Sequence, residues 1–174
     1  AILPENWNAV WESDFQPIVI KDQCAVRAHF HAPIDVPYEL VITPKMSFGT
    51  GHHQTTYMML KTILEHPPKD EVVLDMGSGT GVLAILAEKL GAHSVDAIDV
   101  ESWCYENAIE NAAMNDCKKV NAIEGDRKQI PEKEYGTIIA NINLNVLLLD
   151  IPLYAERLRP NGKLFLSGFY THDI

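Results

Sequence analysis

Four polar residues stand where apolar runs of this chain stop: Asp75, Asp99, Asp126 and Asn141. Each run before them has the length of a strand, and in an open α/β sheet the ligand lies beyond the carboxyl ends of the strands. One such residue alone is as often a helix cap or a satisfied turn residue as a ligand contact; an ordered set, one per strand end, reads as a site. The first of them opens Asp75-Met76-Gly77-Ser78-Gly79-Thr80-Gly81, where glycines alternate with other residues and the apolar pattern changes from a strand period to a helix period. A strand, a tight turn and a helix start in that order present backbone N–H groups to a ligand.

The glycine spacing restricts what that ligand is. Gly77-x-Gly79-x-Gly81 departs from the GxGxxG of a dinucleotide fingerprint and lacks the lysine of a P-loop, so a nucleoside without a pyrophosphate is favoured. Asp99 lies 22 residues past Gly77, and a carboxylate there accepts two hydrogen bonds from a ribose diol and repels a 2′-phosphate. S-adenosylmethionine meets both requirements, with its amino-acid end at the loop amides and its ribose at Asp99. An NAD-linked oxidoreductase is a competing reading, separated by the relative affinity for NAD and for S-adenosylhomocysteine.

A second polar cluster precedes the loop. In Phe48-Gly49-Thr50-Gly51-His52-His53-Gln54-Thr55-Thr56, two glycines flank a threonine beside an aromatic residue and paired histidines. Either histidine alone is better read as a cap or a solvated side chain than as a catalyst. No metal is expected, because neither an HExxH spacing nor a nearby acidic set accompanies them.

These groups need elements to hold them. Residues 1–16 carry Trp7 and Trp11, four apart as on one face of a short helix, and residues 17–42 alternate as short strands or hairpins punctuated by Pro33 and Pro37. A helix over 52–65 ends at Pro67-Pro68. Beyond it the apolar patterns predict strands at 71–75, 94–98, 119–123, 135–140 and 163–167, with helices at 81–90, 101–114 and 144–158. Pro152 argues against one continuous straight helix in the last of these and for a kink or a fresh helix start, and Asn161-Gly162 reads as a turn before the final strand. The succession is that of an open, mostly parallel sheet with helices on both faces. An N-terminal extension over 1–66 and a ligand-binding core over 67–174 are expected, the core cut short at its C-terminal end.

The 174 residues are 47% hydrophobic, enough for one substantial core. A formal net charge of -10 and a pI near 5.0 argue against direct nucleic-acid binding and make a basic protein partner electrostatically easier. No apolar run approaches the roughly 20 residues of a membrane span, and no signal-peptide pattern opens the chain, so a cytoplasmic protein without a membrane partner is expected. Cys24, Cys104 and Cys117 have no CxxC pairing and read as buried or incidental thiols.

Leu74-Asp75-Met76-Gly77-Ser78-Gly79-Thr80-Gly81 resembles motif I of class I, Rossmann-like, S-adenosylmethionine-dependent methyltransferases, and Ala97-Ile98-Asp99 resembles the acidic end of their second strand. With Phe48 to Thr56 and Ala140-Asn141-Ile142, the stretch from about Trp11 to Ser167 resembles the PrmA-type ribosomal protein methyltransferases. The resemblance implies N-methylation of lysine side chains and an N-terminal amine on a large-subunit ribosomal protein. It implies that Thr56, Gly77 and Gly79 contact S-adenosylmethionine with Asp75 in the same motif. Asp99 then holds the ribose, Phe48 and Thr50 wall the site, Asp126 approaches the adenine, and Asn141 sits where methyl donor meets acceptor. It also implies that the family's separate substrate-recognition domain is absent here. The chain departs from the family at Asn143-Leu144-Asn145-Val146, where Leu-Ala-Gly-Pro is frequent; this bears on the acceptor side and leaves the cofactor side untouched. A methyltransferase of the same fold acting on RNA or a small molecule, and a non-catalytic adenosyl-ligand-binding module, are the alternatives.

Overall fold

The structure is a computed structural model that describes residues 16–43 and 54–169. Trp7, Trp11, Phe48, Thr50, His52 and His53 lie outside the described residues. Five strands, β4 (Val72–Met76), β5 (Ser94–Asp99), β6 (Val120–Glu124), β7 (Tyr135–Asn141) and β8 (Leu158–Ser167), form one sheet in the order β6-β5-β4-β7-β8, every neighbouring pair parallel.

Parallel strands need helical crossovers, and these cover both faces. Side chains alternate along each strand, so Val73, Val95, Ala97 and Ile139 share a core with α1 (Gln54–Glu65), α2 (Val82–Lys89) and Ala112 of α3 (Ser102–Met114). Their neighbours Leu74, Met76, Ile98, Ile138 and Ala140 pack on the opposite face against Leu147 and Tyr154 of α4 (Leu144–Arg157).

The N-terminal strands make a separate small sheet. β1 (Ile18–Ile20) and β2 (Cys24–Arg27) pair antiparallel across a turn in which Lys21 and Asp22 both have positive φ, whereas β3 (Tyr38–Val41) pairs parallel to β2. Ile20, Val26, Leu40 and Ile42 join the same core as α1 and α2, so this layer is continuous with the main sheet's packing.

Two expectations are corrected in the last third of the chain. α4 runs unbroken from Leu144 to Arg157 with Pro152 inside it, so no fresh helix starts there. Pro152 is exposed and Leu148 is 63% exposed, so the ring and the carbonyl that loses its donor face water rather than the core. β8 starts at Leu158 instead of Lys163, and the turn at Asn161-Gly162 is an irregularity within it: Tyr135 pairs with Leu158, Thr137 with Lys163, and Asn161 takes a φ of 62°.

The lower edge of the sheet is tied by Glu71. Its carboxylate accepts from Thr137 of β7 and from Arg159 (3.0 Å) and Lys163 (3.2 Å) of β8. Burial alone would raise its pKa, but the Thr137 and Lys163 hydrogen bonds and the two cationic side chains hold it below the usual carboxylate value. A depressed folded-state pKa gives stability that is present above the unfolded value of about 4.3 and lost as pH falls through the folded one. Glu71→Gln is therefore expected to cost ~1–3 kcal/mol in urea denaturation at pH 7, the gap closing below about pH 4. An equal gap at both pH values would contradict this.

Candidate functional site

The strand order fixes where a ligand can bind. From β4 the chain moves outward through β5 to β6, then returns to β7 and β8 on the other side, so β4 and β7 are neighbours whose connections leave in opposite directions. At this switch point the sheet opens into a cleft of about 480 Å³. Met76, Gly77 and Gly79 line it after β4, Asp99 and Val100 after β5, Asn141, Ile142 and Asn143 after β7, and Gly168 after β8, with Thr55 from α1 and Val146 from α4.

The glycine loop has the expected shape for an unexpected reason. Gly77, Gly79 and Gly81 all have positive φ, and a Cβ on Gly77 would lie 2.0 Å from the Ile142 side chain. Its N–H groups, however, are engaged within the protein. Those of Gly77 and Ser78 donate to the Ile98 carbonyl (2.8 and 3.0 Å), that of Gly79 to Asp99 Oδ2 (2.8 Å), and that of Gly81 to the Ser78 carbonyl (2.8 Å). The amides of Gly77, Ser78, Gly79 and Gly81, expected to face a ligand, thus brace the loop.

Asp99 does two things at once. Oδ2 takes the Gly79 N–H and Oδ1 takes the Glu101 N–H (3.0 Å), so the carboxylate is fixed at the cleft wall, 8% exposed. Each oxygen keeps a lone pair, which is what a ribose diol requires.

Asp75 lies behind the loop and is fully buried. Oδ2 accepts from Ala84 N–H in the first turn of α2 (3.1 Å), and Oδ1 has no hydrogen-bond partner among the described residues. Burial pushes its pKa up to about 7, with the Ala84 bond lowering it and the Asp99 charge raising it. The native state keeps this proton up to about pH 7, whereas the unfolded chain releases it near 3.8. Stability from this group therefore falls as pH rises across that window. Asp75→Asn is expected to remove that component, so that its thermal midpoint gains on the wild type between pH 5 and pH 8; parallel curves would show Asp75 to be ionised throughout.

Asn141, at the end of β7, is held from both sides. Its Nδ2 donates to Thr56 Oγ1 (3.1 Å) and its Oδ1 accepts from Ser167 Oγ (2.7 Å). Thr56 is fully buried, and Thr55 is the α1 threonine that lines the cleft. Asp126 is not among the residues that line the cleft; its side chain caps the short 3₁₀ helix Arg127–Gln129 by accepting from Lys128 N–H (2.8 Å), and its own N–H donates to Gln129 Oε1 (2.9 Å). The helix α3 was legible in the sequence, but the roles of Asn111 on it and of Asn115 just past its end were not. Asn111 donates to the Thr80 carbonyl (2.9 Å) and accepts from Thr43 N–H (2.8 Å), and Asn115 bonds both backbone groups of Val41. Their spacing of four was legible, but buried amides at core positions have no pattern that names their partners.

The sequence pattern of the family described as ribosomal protein L11 methyltransferase (PrmA) matches residues 1–173. This chain belongs to that family. Curated PrmA relatives include the ribosomal protein L11 methyltransferase of Porphyromonas gingivalis, 52% identical over 97% of this chain and 59% of that protein, and that of Bacteroides thetaiotaomicron, 44% identical over 98% and 62%. The chain thus spans about three-fifths of the length of these relatives. Among solved structures, ribosomal protein L11 methylase from Lactobacillus delbrueckii subsp. bulgaricus superposes with a TM-score of 0.79 at 29% identity, covering 88% of this chain and 80% of that one. The Trypanosoma brucei PRMT1 enzyme-prozyme complex with AdoHcy matches with a TM-score of 0.53 at 26% identity, over 64% of this chain and 38% of that one. The fold is that of the class I methyltransferases, and membership of PrmA implies chemistry dependent on S-adenosylmethionine. The residues present fit such a group: a crevice at the switch point, a glycine in its lining where a Cβ would strike the Ile142 side chain, and a carboxylate with free lone pairs.

Proposed function

We propose that this chain is the catalytic part of a protein N-methyltransferase that transfers methyl groups from S-adenosylmethionine to lysine and N-terminal amines of the large-subunit ribosomal protein L11. The observation that carries the reading is the placement of Asn141, clamped by Thr56 and Ser167, in the same cleft lining as the Gly77 loop and Asp99. When bound, S-adenosylmethionine supplies an electrophilic methyl group on a sulfonium. The Gly77 loop and Asp99 would hold its amino-acid and ribose portions.

The chain's own residues then act on the acceptor. An amine attacks only when neutral, and the cleft favours loss of its proton by removing water from it. Asn141 Oδ1 has one lone pair taken by Ser167, so its second can accept an N–H of the incoming amine and point the nitrogen's lone pair at the methyl. Alignment supplies much of the rate in this scheme, and no side chain is required as a dedicated base. The adjoining Asn143 caps α4 by accepting from Val146 N–H (3.2 Å), so the loop that departs from the family's common sequence is built as a helix start.

Labelled S-adenosylmethionine offered to the full-length protein with recombinant L11 and ribosomal RNA side by side tests the reading. Label in L11 amines is the expected result; label in RNA, or binding without transfer, would replace it.

A further inference from the structure

Asn141 can orient an amine only if its own amide is oriented, and the sheet register supplies the means. Asn141 pairs with Ser167 across β7 and β8, so their side chains lie side by side on one face. The contact from Ser167 Oγ to Asn141 Oδ1 is 2.7 Å, a usual O–H···O length, and that from Nδ2 to Thr56 Oγ1 is 3.1 Å, a usual N–H···O length. Together the two hydroxyls hold the amide plane, with Oδ1 on the Ser167 side and Nδ2 on the Thr56 side. The next residue braces the same junction: a Cβ on Gly168 would lie 2.0 Å from the Ile142 carbonyl oxygen, so β8 is pressed against the chain leaving Asn141.

We propose that Ser167 is a positioning residue for methyl transfer, acting through Asn141 by holding its Oδ1 toward the acceptor amine. This rests on the reading of Asn141 as the residue at the transfer point. Without the Ser167 hydroxyl the amide keeps one anchor and turns about χ2, and the free lone pair no longer faces the amine. Cofactor affinity is unaffected, because Ser167 is not among the residues that line the cleft.

The test compares Ser167→Ala, Ser167→Cys and Ser167→Thr in the full-length enzyme, with L11 as acceptor and S-adenosylhomocysteine affinity measured by calorimetry. Ser167→Ala is expected to lower kcat about 5- to 10-fold, the worth of one neutral hydrogen bond, with affinity for S-adenosylhomocysteine unchanged. Ser167→Cys keeps the volume but donates weakly and should resemble alanine. Ser167→Thr keeps the hydroxyl at a half-buried position and should recover most of the rate. A kcat for Ser167→Ala equal to the wild type, or no difference between the Cys and Thr variants, overturns the proposal. If the wild type binds S-adenosylhomocysteine but methylates no L11 amine, the functional reading fails first, and the calorimetry shows that the cofactor site survives it.

Discussion

Asn141→Ala in the full-length enzyme is expected to lower kcat by about 100- to 1000-fold, the loss seen when a preorganised polar group at a reacting centre is removed. Affinity for S-adenosylhomocysteine should change by no more than about threefold, since neither Asp99 nor the Gly77 loop bonds to Asn141. The split is what makes the prediction specific. A residue that merely filled the cleft wall would raise KM and leave kcat, while one that orients the acceptor acts in the transition state. Truncation also leaves Thr56 without the donor it faces and removes the Ser167 acceptor, so a repacked wall is the competing cause. Asn141→Asp separates the two. It keeps the shape and can accept from both hydroxyls, but its charge favours the protonated form of the incoming amine, so kcat should stay low. An unchanged kcat in Asn141→Ala, or full activity in Asn141→Asp, would sink the role assigned to this amide.

What the sequence makes legible here is whatever has a period. Alternation and helical spacing place β4 to β7 and α2 to α4 within a residue or two, and Asp75, Asp99 and Asn141 are found at strand ends because apolar runs stop there. Partnerships have no period. The Gly77 loop amides look free in sequence because nothing in it says that the Ile98 carbonyl and Asp99 will take them. Asp126 looks like its counterparts at the other strand ends, and the capping box it forms with Gln129 is legible in Asp126-x-x-Gln129. Pro152 is a breaker by rule, and only its exposure on α4 tells that water can serve the carbonyl it orphans. The Thr56–Asn141–Ser167 chain bonds partners 85 and 26 positions apart in sequence, and its Asn141–Ser167 link follows from strand register, which a single sequence does not display.

Asp99 is the other position with a large expected effect, and there the difficulty is to separate ligand binding from bracing of the loop. Asp99→Ala is expected to weaken S-adenosylhomocysteine binding about 100-fold, since each hydrogen bond to a charged group is worth roughly 1.5–3 kcal/mol. The same change strips partners from the Gly79 and Glu101 N–H groups, so some loss would follow from a relaxed glycine loop even if no ribose ever touched the carboxylate. Thermal denaturation without ligand measures that structural share. The ribose share is measured by a double-mutant cycle in which the second change is made in the ligand, with an analogue lacking one ribose hydroxyl. In the wild type the deoxy analogue should bind about tenfold more weakly than S-adenosylhomocysteine; in Asp99→Ala the two should bind alike, because the hydroxyl then has no carboxylate to meet. If the deoxy analogue is disfavoured equally in both proteins, Asp99 holds the loop and something else reads the ribose. Calorimetry of four pairings therefore distinguishes a ligand contact from a brace, which the shared geometry of Asp99 makes impossible with the alanine variant alone.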